Sequence, residues 1–261
     1  MSRWVDGHQA RKRFGQNFLS DARIVARIVR LIAPKPGENL VEIGPGLGAM
    51  TEPLLAATDH LTVIELDRDL VERLKERFSD APGLTIYSAD ALKFDFSSLT
   101  EDGPLRVVGN LPYNISTPLL LHLFRFVDAI QDMHFMLQKE LVQRMCATPG
   151  NKQWGRLSVI VQYFAEPTLM MTVPASAFRP QPKVESAIVR LRPHAKRYPV
   201  DVRNLEKVTA AAFGQRRKTI RNSLSNLFDE AQLKALGFDP TVRAEQLSLS
   251  DFVKLADALA R

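Results

Sequence analysis

The alternation of short apolar runs with amphipathic segments limits the fold of this chain more than any other feature of its sequence. The runs predict strands at NLVEI (39–43), LTVIEL (61–66), LTIYS (84–88), LRVVG (105–109) and MHFMLQ (133–138). Between them, segments such as DARIVARIVRLI and LVERLKERF carry apolar residues three and four positions apart, which is typical of amphipathic helices. The pattern predicts an α/β fold, a doubly wound sheet that is mostly parallel.

Two later runs, SVIVQYF (158–164) and SAIVRL (186–191), also predict strands. No clear helix separates them, so we expect an antiparallel addition at one edge of the sheet. Only helical patterns follow, and Ser250 is the expected N-cap of the last one. The sequence thus predicts a domain over 1–193, whose residues 1–20 form a basic arm, then a linker at 194–199 and a small all-α domain over 200–261.

Composition limits the class of protein. At 261 residues with 45% hydrophobic content, the chain can bury a sizeable core. No apolar run approaches the roughly 18 residues that span a bilayer, and the N-terminus lacks the apolar region of a signal peptide, so we expect a cytoplasmic protein. Cys146 is the single cysteine and the five histidines are scattered, so neither an internal disulfide nor a metal site is expected.

Basic charge is concentrated at the two ends of the chain. Residues 179–261 hold 16 Lys and Arg against 9 Asp and Glu, and residues 1–20 hold 4 against 1. The formal net charge of the whole chain is +6, so the middle is acidic. Clustered cations bind polyanions because phosphate neutralisation releases counterions. Nucleic acid is therefore the first candidate partner, and a solvated charged surface is the alternative.

A glycine-rich loop follows the first predicted strand. EIGPGLG (42–48) has glycines that allow positive φ and let a ligand touch the backbone. The loop also fits the dinucleotide pattern, and Glu65 lies 21 positions after Gly44, where an acid would bind a ribose diol. A nicotinamide-dependent dehydrogenase is therefore an alternative. The residues at the strand ends can discriminate between these alternatives, because open α/β sheets bind ligands there. They are Glu42 with Gly44, Glu65, Asp90 and Asn110.

Three of these segments together resemble the class I S-adenosylmethionine-dependent methyltransferases: EIGPGLG, VIELD (63–67) and SADAL (88–92). The resemblance implies S-adenosylmethionine as cofactor. It also implies that Glu65 bonds both ribose hydroxyls and that Asp90 accepts from the adenine amino group. A dehydrogenase has no particular need of Asp90. The cofactor-binding residues implied by this resemblance are Gly44, Gly46, Gly48, Glu65, Asp90 and Asn110.

The segment NLPY (110–113) resembles the catalytic motif of amino-methyltransferases, which act on an exocyclic nitrogen conjugated to a ring. The resemblance assigns the Asn110 side-chain oxygen and the Leu111 carbonyl to bind the N–H groups of that nitrogen. Pro112 fixes the turn, and Tyr113 would stack on the base. Phe178, in FRPQPKVES (178–186), could supply the opposite face of the base or pack in the core.

Five ordered segments extend the likeness over nearly the whole chain: RKRFGQNFL (11–19), VEIGPGLGAMT (41–51), VVGNLPYNISTPLL (107–120), FRPQPKVESAIVRL (178–191) and AAFGQRRKTIRNSL (211–224). Together they resemble the KsgA/RsmA family of small-subunit (16S) ribosomal RNA adenine N6,N6-dimethyltransferases. The resemblance implies dimethylation of two adjacent adenines in the 3′-terminal hairpin loop, within an immature 30S particle. A large-subunit methyltransferase of the antibiotic-resistance type, or an assembly factor that acts mainly without catalysis, are the alternatives.

The same resemblance places further residues. Asn17 and Leu19 would close over the cofactor, and two basic groups would contact RNA. These groups are Arg11, Lys12 and Arg13 in the N-terminal arm, and Arg217, Lys218 and Arg221 near the C-terminus. Arg217 and Arg221 are expected four residues apart on one helix face. We expect a monomer, because no coiled-coil pattern or surplus apolar stripe is present.

Overall fold

The computed structural model describes residues 4–5, 8–9, 16–215 and 217–260. The chain forms two compact units, each of which is assembled from two stretches of sequence. The first unit extends to Val142 and also takes Thr168–Pro193, and the second takes Gln143–Pro167 together with the chain from His194 onward.

Strands and helices alternate through the first unit, and helices dominate the second. The described strands are β1 Trp4–Val5, β2 His8–Gln9, β3 Phe18–Leu19, β4 Asn39–Ile43, β5 Leu61–Glu65, β6 Leu84–Ser88, β7 Leu105–Asn110, β8 Ile130–Gln138, β9 Ala165–Val173, β10 Phe178–Arg179 and β11 Ser186–Pro193. The described helices are α1 Ala22–Ile32, α2 Thr51–Leu55, α3 Arg68–Arg77, α4 Ser116–Leu123, α5 Lys139–Met145, α6 Arg156–Phe164, α7 Val202–Gly214, α8 Ile220–Ser223, α9 Glu230–Ala235 and α10 Leu249–Ala258. None of these helices has the length and apolar character needed to cross a membrane.

Among the described residues, seven strands form one sheet in the order β6-β5-β4-β7-β8-β11-β9. The strands from β6 to β8 pair in parallel, and β11 runs antiparallel to β8. The predicted fold class, a mostly parallel sheet with an antiparallel addition, is confirmed. Strands β5 and β6 are added on one side of β4, whereas β7 and β8 are added on its other side. The strand order therefore reverses between β4 and β7. A crevice at such a reversal is where open α/β sheets bind their ligands.

Local sequence explains why the first helix forms where it does. Asp21 caps α1, because its side chain accepts from the backbone N–H groups of Arg23 and Ile24. Val25, Ile28 and Ile32 are buried on one face and join the apolar core between helix and sheet. The spacing of these three residues is the amphipathic period that the sequence shows.

One predicted strand is wrong: SVIVQYF (158–164) lies in helix α6. The backbone N–H of Gly155 donates to the Ser158 hydroxyl (3.1 Å), which fixes the first turn of the helix. Val159, Ile160 and Val161 are all buried although they are consecutive. A helix that is enclosed on most sides has no polar stripe, so its apolar run resembles that of a buried strand. The strand at this point in the chain is β9, which follows directly.

The segment 143–167 belongs to the second unit, whereas the sequence places the first domain boundary after residue 193. Trp154 shows why the segment packs there. It is 1% exposed, and its indole N–H donates to the Leu247 carbonyl (3.0 Å). Val159 and Ile160 join Leu205 of α7 in the same apolar core. Nothing in the local pattern of the segment indicates this long-range packing.

The segment FGQRRKTIRNSL does not form one continuous helix, so the prediction that Arg217 and Arg221 share a helix face is wrong. Helix α7 ends at Gly214 and α8 begins at Ile220. Thr219 has extended backbone (ψ 160°) and forms an antiparallel bridge with Arg243, which interrupts the helix. The last helix also begins earlier than expected, because Ser248 rather than Ser250 is its N-cap.

Candidate active site

A cavity of about 300 Å³ opens at the carboxyl ends of the parallel strands. Its wall combines the loop after β4, the ends of β5 and β7, and the turn after β6. Most of the residues that the sequence singles out lie on it. They are Asn17, Leu19, Gly44, Gly46, Glu65, Asp90, Asn110, Leu111, Pro112 and Tyr113. The fold therefore brings together groups that are almost 100 positions apart in the chain.

The glycine loop adopts a conformation that favours glycine. Gly44 has φ 67° and Gly46 has φ 59°, both in the left-handed region. The backbone N–H of Gly44 donates to the Ile64 carbonyl (2.9 Å), which holds the loop against β5. A Cβ at Gly46 would lie 3.1 Å from the ring of Phe18. The loop thus presents backbone rather than side chain at the cavity.

Glu65 ends β5 and is 8% exposed. Each of its carboxylate oxygens accepts one backbone N–H, from Gly46 (3.2 Å) and from Asp67 (2.9 Å). Burial raises the pKa of Glu65, and the two backbone donors oppose that rise. The carboxylate is held in place and keeps lone pairs that can accept from the hydroxyls of a ribose.

Asp90 follows β6 and offers a second carboxylate to the same cavity. Its Oδ1 accepts from the backbone N–H of Leu92 (3.0 Å). Among the described residues, nothing donates to Oδ2. Leu66 and Ala91 line the cavity beside it, and Leu66 is 49% exposed. An acceptor between apolar side chains is suited to a flat heterocycle that carries an amino group.

Asn110 ends β7, next to the glycine loop. Its side-chain NH₂ donates to the backbone carbonyl of Asn17 (3.0 Å), so the amide is held with its oxygen as the remaining acceptor. The backbone N–H of the next residue, Leu111, donates to the Met136 carbonyl (3.2 Å). In the described part of the chain no donor reaches the Leu111 carbonyl. Two neighbouring residues at the cavity therefore each have a free acceptor, which is the side-chain oxygen of Asn110 and the backbone carbonyl of Leu111.

Tyr113 places an aromatic ring beside these acceptors. Its hydroxyl and the hydroxyl of Ser186 in β11 form a hydrogen bond (2.8 Å) that fixes the ring position. Burial raises the pKa of Tyr113, and the hydrogen bond with Ser186 opposes the rise. The turn itself is stabilised at Pro112, whose carbonyl accepts from the Ser116 hydroxyl (3.0 Å) and from the Ile115 backbone (3.1 Å).

Two predicted site residues lie away from the cavity. Gly48 has φ 83°, and a Cβ there would approach the ring of Phe78 to 3.0 Å, so it serves the packing of the loop on α3. Phe178 is 2% exposed, pairs with Leu19 between β10 and β3, and belongs to the apolar core. The structure therefore corrects the suggestion that the Phe178 ring faces a substrate base. Arg11, Lys12 and Arg13 lie outside the described residues.

Glu42 is one of the strand-end positions that the sequence indicates, but the sequence assigns it no role; in the structure it lines the cavity. It is 1% exposed and accepts from the Thr51 hydroxyl (2.6 Å). Burial raises the pKa of Glu42 to about 7, and the nearby carboxylate of Glu65 adds to the rise. The available signal was its position near the end of β4, at the start of the glycine loop.

The arrangement fits S-adenosylmethionine better than it fits a dinucleotide. Glu65 can accept from a ribose diol, and Asp90 lies one strand further along, where it can accept from an adenine amino group. Gly44 and Gly46 leave room for a ligand against the backbone. The Asn110 side-chain oxygen and the Leu111 carbonyl are two further acceptors at this cavity, which hydride transfer does not need.

Comparisons with known proteins agree with this geometry. The family model described as "Ribosomal RNA adenine dimethylase" matches residues 7–261. A relative named "Ribosomal RNA small subunit methyltransferase A" from Acinetobacter baylyi is 55% identical over 97% of this chain and 94% of its own. The relative of the same name from Yersinia pestis is 57% identical over 97% and 95%.

Solved structures show the same likeness. A dimethyladenosine transferase from Plasmodium falciparum has a TM-score of 0.76 and 25% identity, over 91% of this chain and 95% of its own. The 23S rRNA methyltransferase ErmE has a TM-score of 0.70 and 26% identity, over 94% of this chain and 100% of its own.

Proposed function

Because the chain belongs to the ribosomal RNA adenine dimethylase family, we propose that it methylates N6 of two adjacent adenines in the 3′-terminal hairpin loop of small-subunit ribosomal RNA. The methyl donor is S-adenosylmethionine, and the product is N6,N6-dimethyladenosine. The observation that carries this proposal is the pair of acceptors at Asn110 and Leu111, on the same cavity as Glu65 and Asp90.

Different residues of the cavity bind different parts of the cofactor, which supplies an electrophilic methyl group when it is bound. Glu65 accepts from the ribose hydroxyls with the lone pairs that Gly46 and Asp67 leave unused. Oδ2 of Asp90 accepts from the adenine amino group. Further contacts come from the backbone and from neighbouring side chains, at Asn17, Leu19, Gly44, Gly46 and Asn110.

Asn110 and Leu111 act on the target amine. The N6 lone pair of adenine is delocalised into the ring, which makes the nitrogen a poor nucleophile. Oxygens that accept its N–H groups favour the pyramidal geometry in which the lone pair is available, and preorganised acceptors of this kind lower the barrier. The hydrogen bond from the Asn110 side-chain NH₂ to the Asn17 carbonyl keeps the amide oxygen available as the acceptor for the target amine. The leaving proton passes to solvent, so a carboxylate base is not required.

Tyr113 positions the base. An adenine within a duplex cannot present N6 to the cavity, so it must be flipped out or already unpaired and held against an aromatic face. The bond between the Tyr113 and Ser186 hydroxyls keeps the ring from turning away. Since Phe178 is buried, Tyr113 is the aromatic residue that we assign to this stack.

Binding of the RNA outside the target loop requires a cationic surface on the protein. Arg217, Lys218 and Arg221 are exposed, and we assign them to phosphate contacts. Arg11, Lys12 and Arg13 are proposed for the same role in the N-terminal arm. We also propose that the substrate is an immature 30S particle in the cytoplasm and that the protein acts as a monomer.

The test measures transfer of labelled methyl groups to small subunits that lack this modification, followed by digestion and mass identification of nucleosides. Asn110→Ala removes one acceptor, and removal of one preorganised contact typically lowers turnover by roughly 100-fold or more. Asn226→Ala is the matched control, because it makes the same exchange at an exposed site in the second unit. Binding of S-adenosylmethionine and of small subunits is measured for each variant.

We expect N6,N6-dimethyladenosine with the wild type and with Asn226→Ala, and almost none with Asn110→Ala despite retained subunit binding. Full methylation by Asn110→Ala would contradict the assigned role. Labelling confined to large-subunit RNA would favour the resistance-type activity. Subunit binding without any labelling by the wild type would favour a non-catalytic assembly factor.

A further inference from the structure

A second cavity, of about 590 Å³, lies entirely within the second unit. Its wall is formed by the end of α6, the first residues of β9 and the segment 194–199 before α7. Its volume falls within the range of sites that hold a small molecule or one unit of a polymer. None of its lining residues belongs to the candidate active site.

Hydrogen bonds anchor the segment 194–199 to α6. The backbone N–H of His194 donates to the Phe164 carbonyl (3.0 Å), and the His194 ring bonds to the Gln162 carbonyl (3.0 Å). Further along, the Tyr163 hydroxyl donates to the Tyr198 carbonyl (3.0 Å). The segment is therefore tied at both ends, and a ligand would meet a wall that is already formed.

The side chains on this wall combine an aromatic ring with positive charge. Tyr198 is 47% exposed, and in the described part of the chain its ring contacts no other ring. Lys196 is exposed and forms no ion pair with the described residues. Arg197 is partly buried, donates to the His194 carbonyl (3.5 Å) and lies close enough to Tyr163 to oppose the rise in the Tyr163 pKa that burial causes. Glu166, which is exposed, adds one carboxylate.

An exposed ring next to two cations is the combination that binds single-stranded nucleic acid, since bases stack on aromatic faces while cations follow the phosphates. We infer that this cavity binds one nucleotide of single-stranded RNA, with its base on Tyr198 and its phosphate held by Lys196 and Arg197. Glu166 can accept from a ribose 2′-hydroxyl, which DNA lacks. An acidic peptide would leave the exposed Tyr198 ring without a stacking partner.

The choice of RNA rests on the proposed function, so the test uses a probe that cannot be methylated. A fluorescent decamer of uridine contains no adenine. Its binding to the full-length protein is followed by anisotropy over a range of salt concentrations. Ultraviolet cross-linking with mass spectrometry then locates the bound nucleotides. The cavity variants are Tyr198→Leu and the pair Lys196→Gln with Arg197→Gln. The matched controls are Tyr87→Leu and Lys207→Gln, at exposed positions outside the cavity.

Loss of one base stack predicts an affinity lower by roughly 5- to 150-fold for Tyr198→Leu. Removal of the two cations should reduce the slope of log affinity against log salt by about 0.7 for each phosphate that the variant no longer neutralises. We expect cross-links at Tyr198 and wild-type affinity in the controls. Wild-type affinity and slope in both cavity variants, or equal binding of a deoxyuridine decamer, would overturn the inference.

Methylation of small subunits is measured with the same protein preparations. This measurement distinguishes a failure of the cavity inference from a failure of the proposed methyltransferase function. If the wild type methylates adenine but the cavity variants bind the decamer as the wild type does, the cavity inference alone fails. If decamer binding depends on the cavity but no ribosomal adenine is methylated, the proposed function alone fails.

Discussion

Burial of Glu42 beneath the glycine loop couples the stability of this chain to pH. Among the described residues, the Thr51 hydroxyl is the one side-chain donor to its carboxylate, and desolvation raises the Glu42 pKa from 4.5 to about 7. Between pH 4.5 and about pH 7, the Glu42 carboxyl is therefore protonated in the folded state and ionised in the unfolded state. Stability falls as pH rises through this window and is constant on either side of it, as far as this group is concerned.

Glu42→Gln should remove that dependence, because glutamine keeps an acceptor for Thr51 and does not ionise. We expect the free energy of unfolding of the wild type, relative to Glu42→Gln, to fall by roughly 2 to 3 kcal/mol between pH 5 and pH 8. Urea unfolding at the two pH values measures it. Glu72→Gln, on the exposed face of α3, is the control. Parallel pH profiles for the wild type and Glu42→Gln would contradict the assignment.

At the scale of elements, β4 and β7 approach each other closely at the point where the strand order reverses. A Cβ on Gly109 would lie 2.5 Å from the Ile43 carbonyl oxygen, closer than real Cβ atoms approach, and 3.1 Å from the Leu111 side chain. The obstacle is backbone, which cannot rotate away. Glycine at 109 is thus required by the strand contact that places Asn110 beside the glycine loop.

Gly109→Ala should spread β4 from β7 and displace Asn110. We expect a loss of about 1–3 kcal/mol in the free energy of unfolding, as for overpacked cores, together with weaker binding of S-adenosylmethionine. Urea unfolding and calorimetric titration measure the two effects. Gly214→Ala is the control, since a Cβ at the end of α7 meets no atom within 4 Å. Unchanged stability and cofactor affinity in Gly109→Ala would show that the strands tolerate the extra atom.

Comparison of β4 with α6 shows where the hydrophobic pattern of the sequence predicts secondary structure and where it does not. The predicted strand at 39–43 has the same bounds as β4, because β-branched residues and flanking turn residues define it locally. The run at 158–164 is equally apolar but forms α6. A run without a polar face carries no period, so only its packing partners, such as Leu205, decide between helix and strand.

At the scale of the whole molecule, positive charge on the second unit is expected to govern RNA affinity. Arg217 and Lys218 lie in the turn between α7 and α8, and Arg221 is in α8, where it pairs with Glu230 (3.3 Å). A glutamate at 221 would face Glu230 and add a local repulsion between like charges, so neutral substitutions are the better probe.

The triple substitution to glutamine at 217, 218 and 221 should weaken binding to small-subunit RNA and flatten its salt dependence. The slope of log affinity against log salt should fall by up to roughly 2 to 3, since each of three phosphate contacts contributes about 0.7 to 0.9. Equilibrium binding over a salt series measures it. Arg203→Gln, whose cation is paired with Asp201 (2.9 Å), is the control. An unchanged slope would show that these cations face solvent rather than phosphate.

By itself, the sequence determined the α/β class, the positions of the parallel strands and the polar residues at the strand ends that line the cavity. Glycine φ preference, strand composition and the polar residues at strand ends act over a few residues, so they can be recognised in a linear pattern. Glu65, Asp90 and Asn110 were all found in this way.

Tertiary structure alone decided what depends on distant neighbours. It buried Phe178 in the core, enclosed Glu42 and so raised its pKa, and packed 143–167 with the second unit. Burial and electrostatic environment are properties of atoms brought together from remote parts of the chain. For that reason no local pattern specifies them.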